Sequence, residues 1–312
     1  MELLPKNTNI DFLKVRKVVL GITLLVVVGT IASLATRGLN FSVDFTGGVL
    51  LEVGYPHSVE LDDLRDTLAG IGYDDAMLQH YGTTSAVLIR LQPKAGTVDD
   101  EKIADDIMRA LAAKDAGVAK RRVEFVGPQV GDQLVYQGAL ATLFALLGIL
   151  VYVWFRFEWK FGLGAIVSTA HDVVFVLGWL SFFQVPFDLT VLAAVLTVVG
   201  YSLNDTVVIF DRIRENFRLM RRATVYEMIN ASVNQTMSRT IMTGLTVMLV
   251  LVVLFAFGGE VVHGFSLTLI IGVLIGTVSS VYVASQVALM LGLKREDLLE
   301  HTEKDAELER MP

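Results

Sequence analysis

The sequence predicts a polytopic α-helical membrane protein of six transmembrane helices, with one α+β domain inserted between the first and the second. Three observations predict it. The 312 residues are 53% hydrophobic and 19% charged, against about 25% charged in an ordinary soluble domain. Six apolar runs approach or exceed the ~20 residues needed to cross a bilayer. Lys and Arg cluster in alternate loops, as they do where those loops stay in the cytoplasm.

Residues 1–17 form a short cytoplasmic lead carrying Lys6, Lys14, Arg16 and Lys17. The first span is assigned to 18–39, with its apolar run at Val18–Ala35. Arg37-Gly38-Leu39 follows in place of a small-residue cleavage site, so the run reads as a retained span.

Residues 40–137 form the extracytoplasmic domain. Strands are predicted at Val49–Tyr55, Ala76–Tyr81, Ala86–Leu91 and Arg122–Val126. Two amphipathic helices alternate with them. The first places Leu61, Leu64, Leu68 and Ile71 on one side, and the second, Asp99–Ala113, places Ile103, Ile107 and Leu111 at i, i+4, i+8. The order βαββαβ predicts a ferredoxin-like arrangement. Gly47-Gly48 and Gly127-Pro128 bracket the domain as hinges or ordinary turns. The domain holds 16 acidic and 9 basic residues, and the rest of the chain 17 of each, so the whole net charge of −7 sits on it. An acidic domain argues against nucleic acid as its ligand.

The remaining spans are predicted at 138–155, 161–183, 190–210, 241–257 and 265–291, the last tilted because of its length. Arg156 and Lys160 lie between the second and third. Arg212, Arg214, Arg218, Arg221 and Arg222 lie between the fourth and fifth, and Lys294 and Arg295 open the cytoplasmic tail, 292–312. The loops 184–189 and 258–264 carry no Lys or Arg. Both termini are therefore expected in the cytoplasm and 40–137 outside. Residues 223–238 are expected as an interfacial helix before the fifth span.

Within the spans ionisable groups are few. The fourth contains Asn204-Asp205-Thr206, and Tyr201, Asn204, Asp205 and Val208 fall at i, i+3, i+4, i+7 on one stripe. A carboxylate in hydrocarbon costs about 2.5–3.5 kcal/mol on insertion scales, so that stripe must face protein or water, and a functional role is the first reading. A helix-packing hydrogen bond is the alternative. His171-Asp172 in the third span either joins the same pathway or bridges helices. Arg239, at the start of the fifth, either faces Asp205 or snorkels to the surface. A guanidinium beside a buried carboxylate favours its ionised form and dehydration favours the protonated one, so an Asp205–Arg239 site can exchange a proton as the helices move. Gly200, Ser202 and Gly244 are small enough to line, with Asp205, a face for a second six-span protein.

The chain has no cysteine, hence no disulfide framework and no cysteine-ligated metal. It lacks a phosphate-binding loop, a nucleophile elbow and a zinc helix. His57, His80, His263 and His301 are scattered. Neither enzymatic activity nor a cofactor is expected.

Five segments carry a resemblance over nearly the whole chain: Asp44-Phe45-Thr46-Gly47-Gly48, Val126-Gly127-Pro128-Gln129-Val130-Gly131, Ala170-His171-Asp172, Gly200 through Thr206 running to Asp211-Arg212-Ile213-Arg214-Glu215-Asn216, and Gln235-Thr236-Met237-Ser238-Arg239-Thr240. Together they resemble the SecF branch of the SecD/SecF family of protein-export membrane proteins. The resemblance implies half of a transporter of the RND superfamily in the bacterial inner membrane. It implies SecD as partner, with the SecYEG channel, SecA and YajC as complex members, and an unfolded exported polypeptide as cargo. It implies late translocation driven by the proton-motive force, with Asp205 and Arg239 on the proton pathway. Two other readings compete: an RND-type small-molecule or lipid exporter subunit, for whose large porter domains about 100 residues is small, and a scaffold whose polar residues only bind helices.

Overall fold

The computed structural model describes residues 10–91, 100–220, 222–259 and 262–293. The expectations for the first residues of the lead, Asp99, Arg221, Lys294, Arg295 and the tail lie outside the described residues. The chain divides into two compact units. One holds the chain up to Asn40, Thr142–Val185 and the chain from Thr190 onward; the other holds Phe41–Ala141 and Pro186–Leu189.

The second unit is built on a four-stranded sheet of β2 (Gly48–Gly54), β3 (Met77–Tyr81), β4 (Thr83–Leu91) and β5 (Ala119–Val126), in the order β3-β4-β2-β5. Every pairing is antiparallel, with Leu51 opposite Ile89 on β4 and Val123 on β5. The helices α3 (Leu61–Ala69) and α4 (Asp100–Lys114) supply the apolar cover. Alternate residues Val49, Leu51 and Val53 on β2, with Val87, Ile89 and Leu91 on β4, form one core with Leu64, Leu68, Ile107 and Leu111. Each such side chain contributes about 1.5–3 kcal/mol on full burial. Two strand starts differ from the sequence expectation by three residues. β4 starts at Thr83 because Gly82, at φ 69°, turns the chain alone. β5 starts at Ala119, since Lys120, Arg121 and Arg122 lie on an edge strand where charge is favoured and no apolar alternation marks the element.

Residues 184–189 were expected as a loop between spans. Pro186–Phe187 instead forms a strand, β6, paired with β1 (Asn40–Phe41). The one-turn helix α2 (Val43–Thr46) follows β1 and ends at Gly47 and Gly48, with φ of 69° and 111°. Gly47 is no open hinge: a Cβ on Gly131 would stand 3.1 Å from its nitrogen.

Six helices among the described residues are long and apolar enough to cross a membrane: Phe12–Arg37, Val130–Arg156, Trp159–Phe182, Leu189–Leu219, Val225–Phe257 and His263–Met290. We label them α1 (Arg16–Arg37, after a 3-10 turn), α5 (Pro128–Arg156), α6 (Trp159–Phe182), α7 (Leu189–Leu219), α8 (Val225–Phe257), and α9 (His263–Ser279), which continues through a π turn at Ser280–Ala284 into α10 (Ser285–Met290). The chain is a multi-pass membrane protein. The inner helices are α6, α7 and α9, roughly half buried; α1, α5 and α8 present mostly aliphatic surface. Small residues set the close approaches. A Cβ on Gly178 would stand 2.1 Å from Thr30 Cβ of α1, and one on Gly272 2.0 Å from Val198 of α7.

Three helices run well beyond the expected spans, α5 by starting at Pro128 rather than at 138. α7 continues past Phe210 because its polar end is paired: Asp211 with Arg156 at 2.5 Å, and Arg212 with Gln235 at 2.6 Å. Residues 225–238 are not a separate interfacial helix but the first half of α8. A capping box joins Thr224 and Glu227. Asn216 of α7 donates to Ser232 and Gln235, both at 2.8 Å, while Asn230 and Asn234 accept from the backbone N–H groups of Phe12 and Ile10. These polar groups find partners in the protein, so nothing turns the segment to the interface.

Candidate functional site: a polar centre inside the helix bundle

Helices α6, α7 and α9 meet around polar side chains at membrane depth. On α7, Ser202, Asp205 and Thr206 are 0%, 2% and 0% exposed. Residues three and four apart share a helix face, so all three turn inward. Asn204, beside Asp205 in the chain, is exposed. The second carboxylate oxygen of Asp205, Oδ2, is buried and has no hydrogen-bond partner among the described residues.

Arg239 stands exposed well inside α8, not in the first turn of its helix as expected. Its charge acts on Asp205 through space, without an ion pair within 4.0 Å among the described residues.

His171 and Asp172 form a second group. Asp172 is fully buried. Its Oδ1 lies 2.9 Å from His171 Nδ1, and its Oδ2 accepts from Ser202 Oγ at 2.5 Å and Ser279 Oγ at 2.6 Å. One carboxylate thus ties α6 to α7 and α9. The next residue of α9's continuation extends the chain of contacts: Ser280 Oγ lies 3.0 Å from Thr206 Oγ1 and donates to Gly276 O at 2.8 Å. Ser280 opens the π turn, a helix irregularity found mostly at functional positions. A Cβ on Gly276 would touch Ser202 at 3.4 Å, which is how α7 and α9 come close enough for these bonds.

The centre therefore unites Asp205 and Asn204 with Arg239 nearby, and joins His171 and Asp172 to α7 through Ser202. Ser202 was expected to line a partner-facing surface with Gly200 and Gly244. It faces inward instead, because Asp172 takes its hydroxyl, while Gly200 alone of the three is exposed. Sequence reasoning missed Ser202, Thr206, Ser279 and Ser280 as members of the centre. The available signal was the hydroxyl pair Ser279-Ser280 inside an otherwise apolar span. No cluster of three His, Asp or Glu residues able to hold a metal exists among the described residues.

Residues 106–294 match the family described as protein export membrane protein SecD/SecF, C-terminal, and residues 32–55 match the SecD/SecF GG motif. The chain belongs to the SecD/SecF family. It is 49% identical to the protein translocase subunit SecF of Pseudomonas aeruginosa over 302 residues, covering 96% of this chain and 97% of the relative. The SecF subunit of Escherichia coli O157:H7 is 44% identical over 291 residues, 93% of this chain and 90% of its own. Among solved structures, that of SecDF from Thermus thermophilus, described as a translocon-associated membrane protein, overlays with a TM-score of 0.83 at 34% identity. That overlay covers 93% of this chain but only 39% of the SecDF chain. This chain thus spans well under half the length of the SecDF polypeptide. The GG motif of the family holds Gly47 and Gly48, the two left-handed residues at the end of α2.

Proposed function

We propose that the chain is the SecF-type half of a proton-driven accessory to the Sec translocase of the bacterial inner membrane. In this reading it pairs with SecD, works beside SecYEG, SecA and YajC on an unfolded exported polypeptide, and is no enzyme and needs no cofactor. The observation that carries the reading is the state of Asp205: buried within an apolar helix, with one oxygen lacking a hydrogen-bond partner and no ion pair to Arg239 within 4.0 Å among the described residues. A membrane-embedded carboxylate in that position is a proton relay by the usual logic of transporters. Arg239 closing on Asp205 holds the carboxylate ionised; moving away without water entering leaves it to take a proton. One charge carried through the full potential is worth about 2.3 kcal/mol per 100 mV, enough to bias a two-state helix arrangement. The His171–Asp172 group links the moving helix to its neighbours.

The exposed Asn204 and Arg239 support a heteromer. Polar groups on membrane helices face protein or water rather than lipid, and a second six-span chain would cover them. The alternation of basic loops supports cytoplasmic termini, with 40–137 periplasmic. The strand order β3-β4-β2-β5 with two helices in the βαββαβ order supports a ferredoxin-like domain.

The test is export of a secretory polypeptide into inverted membrane vesicles at saturating ATP, with and without a proton gradient. Asp205→Asn keeps size and much of the hydrogen bonding but cannot titrate. It should insert normally and lose the gradient's stimulation. A variant that responds in full would make Asp205 a packing residue.

A further inference from the structure

We infer that Asp44 is a positioning residue that makes the start of α7 part of the extracytoplasmic unit, so that movement of the helix bearing Asp205 is delivered to the β-sheet. The inference rests on the reading that protonation of Asp205 moves α7, and adds the route by which that movement leaves the membrane.

Connectivity joins the extracytoplasmic unit to the spans through α1 and α5. The structure adds a third connection. Pro186–Leu189 belongs to the sheet's unit, although the sequence on either side of it belongs to the bundle. Leu189 is the first residue of α7. Its backbone N–H donates to Asp44 Oδ2 at 3.0 Å. A helix leaves its first N–H groups without partners, and a residue at the cap itself serves the N–H groups two or three positions on. The first one needs an acceptor from elsewhere, and Asp44 supplies it, with a negative charge at the positive end of the helix.

Three further contacts make this a grip. Ser42 N–H donates to Phe187 O at 2.9 Å within the β1–β6 pairing. The rings of Phe41, Phe45 and Phe187 form a closed triad with centroids 5.7, 5.7 and 5.8 Å apart. On the other side, Arg90 of the sheet's β4, 7% exposed, donates to Phe41 O at 2.6 Å. The path from sheet to helix is therefore Arg90, Phe41, the ring triad and Asp44, and then the α7 backbone. A helix carries displacement along its axis, and Asp205 lies on the same unbroken helix.

The experiment measures two quantities on the intact translocase in membrane vesicles: proton flux, and gradient stimulation of export. Asp44→Ala removes the acceptor, whereas Asp44→Asn keeps an oxygen that can accept. Leu189→Pro removes the donor instead, at a first helical position where proline is tolerated, and covers the case in which Asp44→Ala fails to accumulate. Asp44→Ala and Leu189→Pro should lower gradient stimulation by roughly fivefold, the shift that a lost cap produces in a two-state equilibrium. Proton flux should stay at the parental level, and Asp44→Asn should export nearly as the parent does. Export unchanged in both disruptive variants overturns the inference, as does a matching loss of flux and export, which would make Asp44 merely structural. The proton-relay reading fails separately, by Asp205→Asn leaving flux unaltered whatever Asp44 does.

Discussion

Gly178→Ala tests the packing that holds α1 against α6. The added methyl would stand 2.1 Å from Thr30 Cβ, 2.5 Å from its Cγ2 and 2.8 Å from its Cα. Carbon atoms rest at about 3.5–4.0 Å, so the pair is short by about 1.5 Å. A rotamer change at Thr30 cannot relieve this, because Cα itself is too near and Oγ1 is engaged with Val27 O at 2.8 Å. The helices must separate, and the Ser33–Ser181 hydroxyl contact, 3.1 Å and one turn further on, then opens. Overpacking costs about 1–3 kcal/mol, and a hydrogen bond between membrane helices adds about 0.6. The expected loss is about 2–4 kcal/mol, read from thermal or denaturant unfolding in detergent. Gly148→Ala is the control: nothing lies within 4 Å of its added methyl, and alanine is the better helix former by about 1 kcal/mol. Thr30→Gly should restore part of the loss only in the Gly178→Ala background. If Gly178→Ala unfolds like Gly148→Ala, the α1–α6 approach is not as drawn.

Two further outcomes are expected. A single cysteine at Ser85, in a chain with none of its own, should react with an impermeant thiol reagent from the periplasmic side, and one at Thr224 should not; the reverse pattern would invert the orientation. The Tyr55 hydroxyl is pushed up to about 12, first by burial and then by the charge of Asp115, so the folded form holds its proton above pH 10 where the unfolded chain releases it. The contribution is complete below pH 10 and is lost as pH rises from 10 to 12. Tyr55→Phe should flatten that part of the stability–pH curve, and equal slopes in both proteins would refute the assignment.

The spans were legible because a 20-residue apolar run and a basic loop are each local signals. The sheet unit was legible because Leu64, Leu68, Ile107 and Leu111 repeat at helical spacing and Val49, Leu51 and Val53 alternate. What escaped was non-local. The first half of α8 reads as interfacial only while the partners of Asn230, Asn234 and Ser232 are unknown, and those lie at Ile10, Phe12 and Asn216. Asp205 and Asn204 are adjacent and both polar, yet one is buried and the other exposed; hydrophobic spacing cannot choose between them. Asp172 was visible as a polar residue, but its hydroxyl partners sit on two other helices. The strand at Pro186–Phe187 is too short to show any periodicity.

The central claim is that Asp205 binds and releases a proton in the working cycle. Proton flux into proteoliposomes holding this chain with its six-span partner tests it most directly, comparing the parent with Asp205→Asn at equal, verified insertion. The account predicts a flux in the parent that the asparagine variant abolishes. Equal flux in the two would contradict it and move the relay off Asp205.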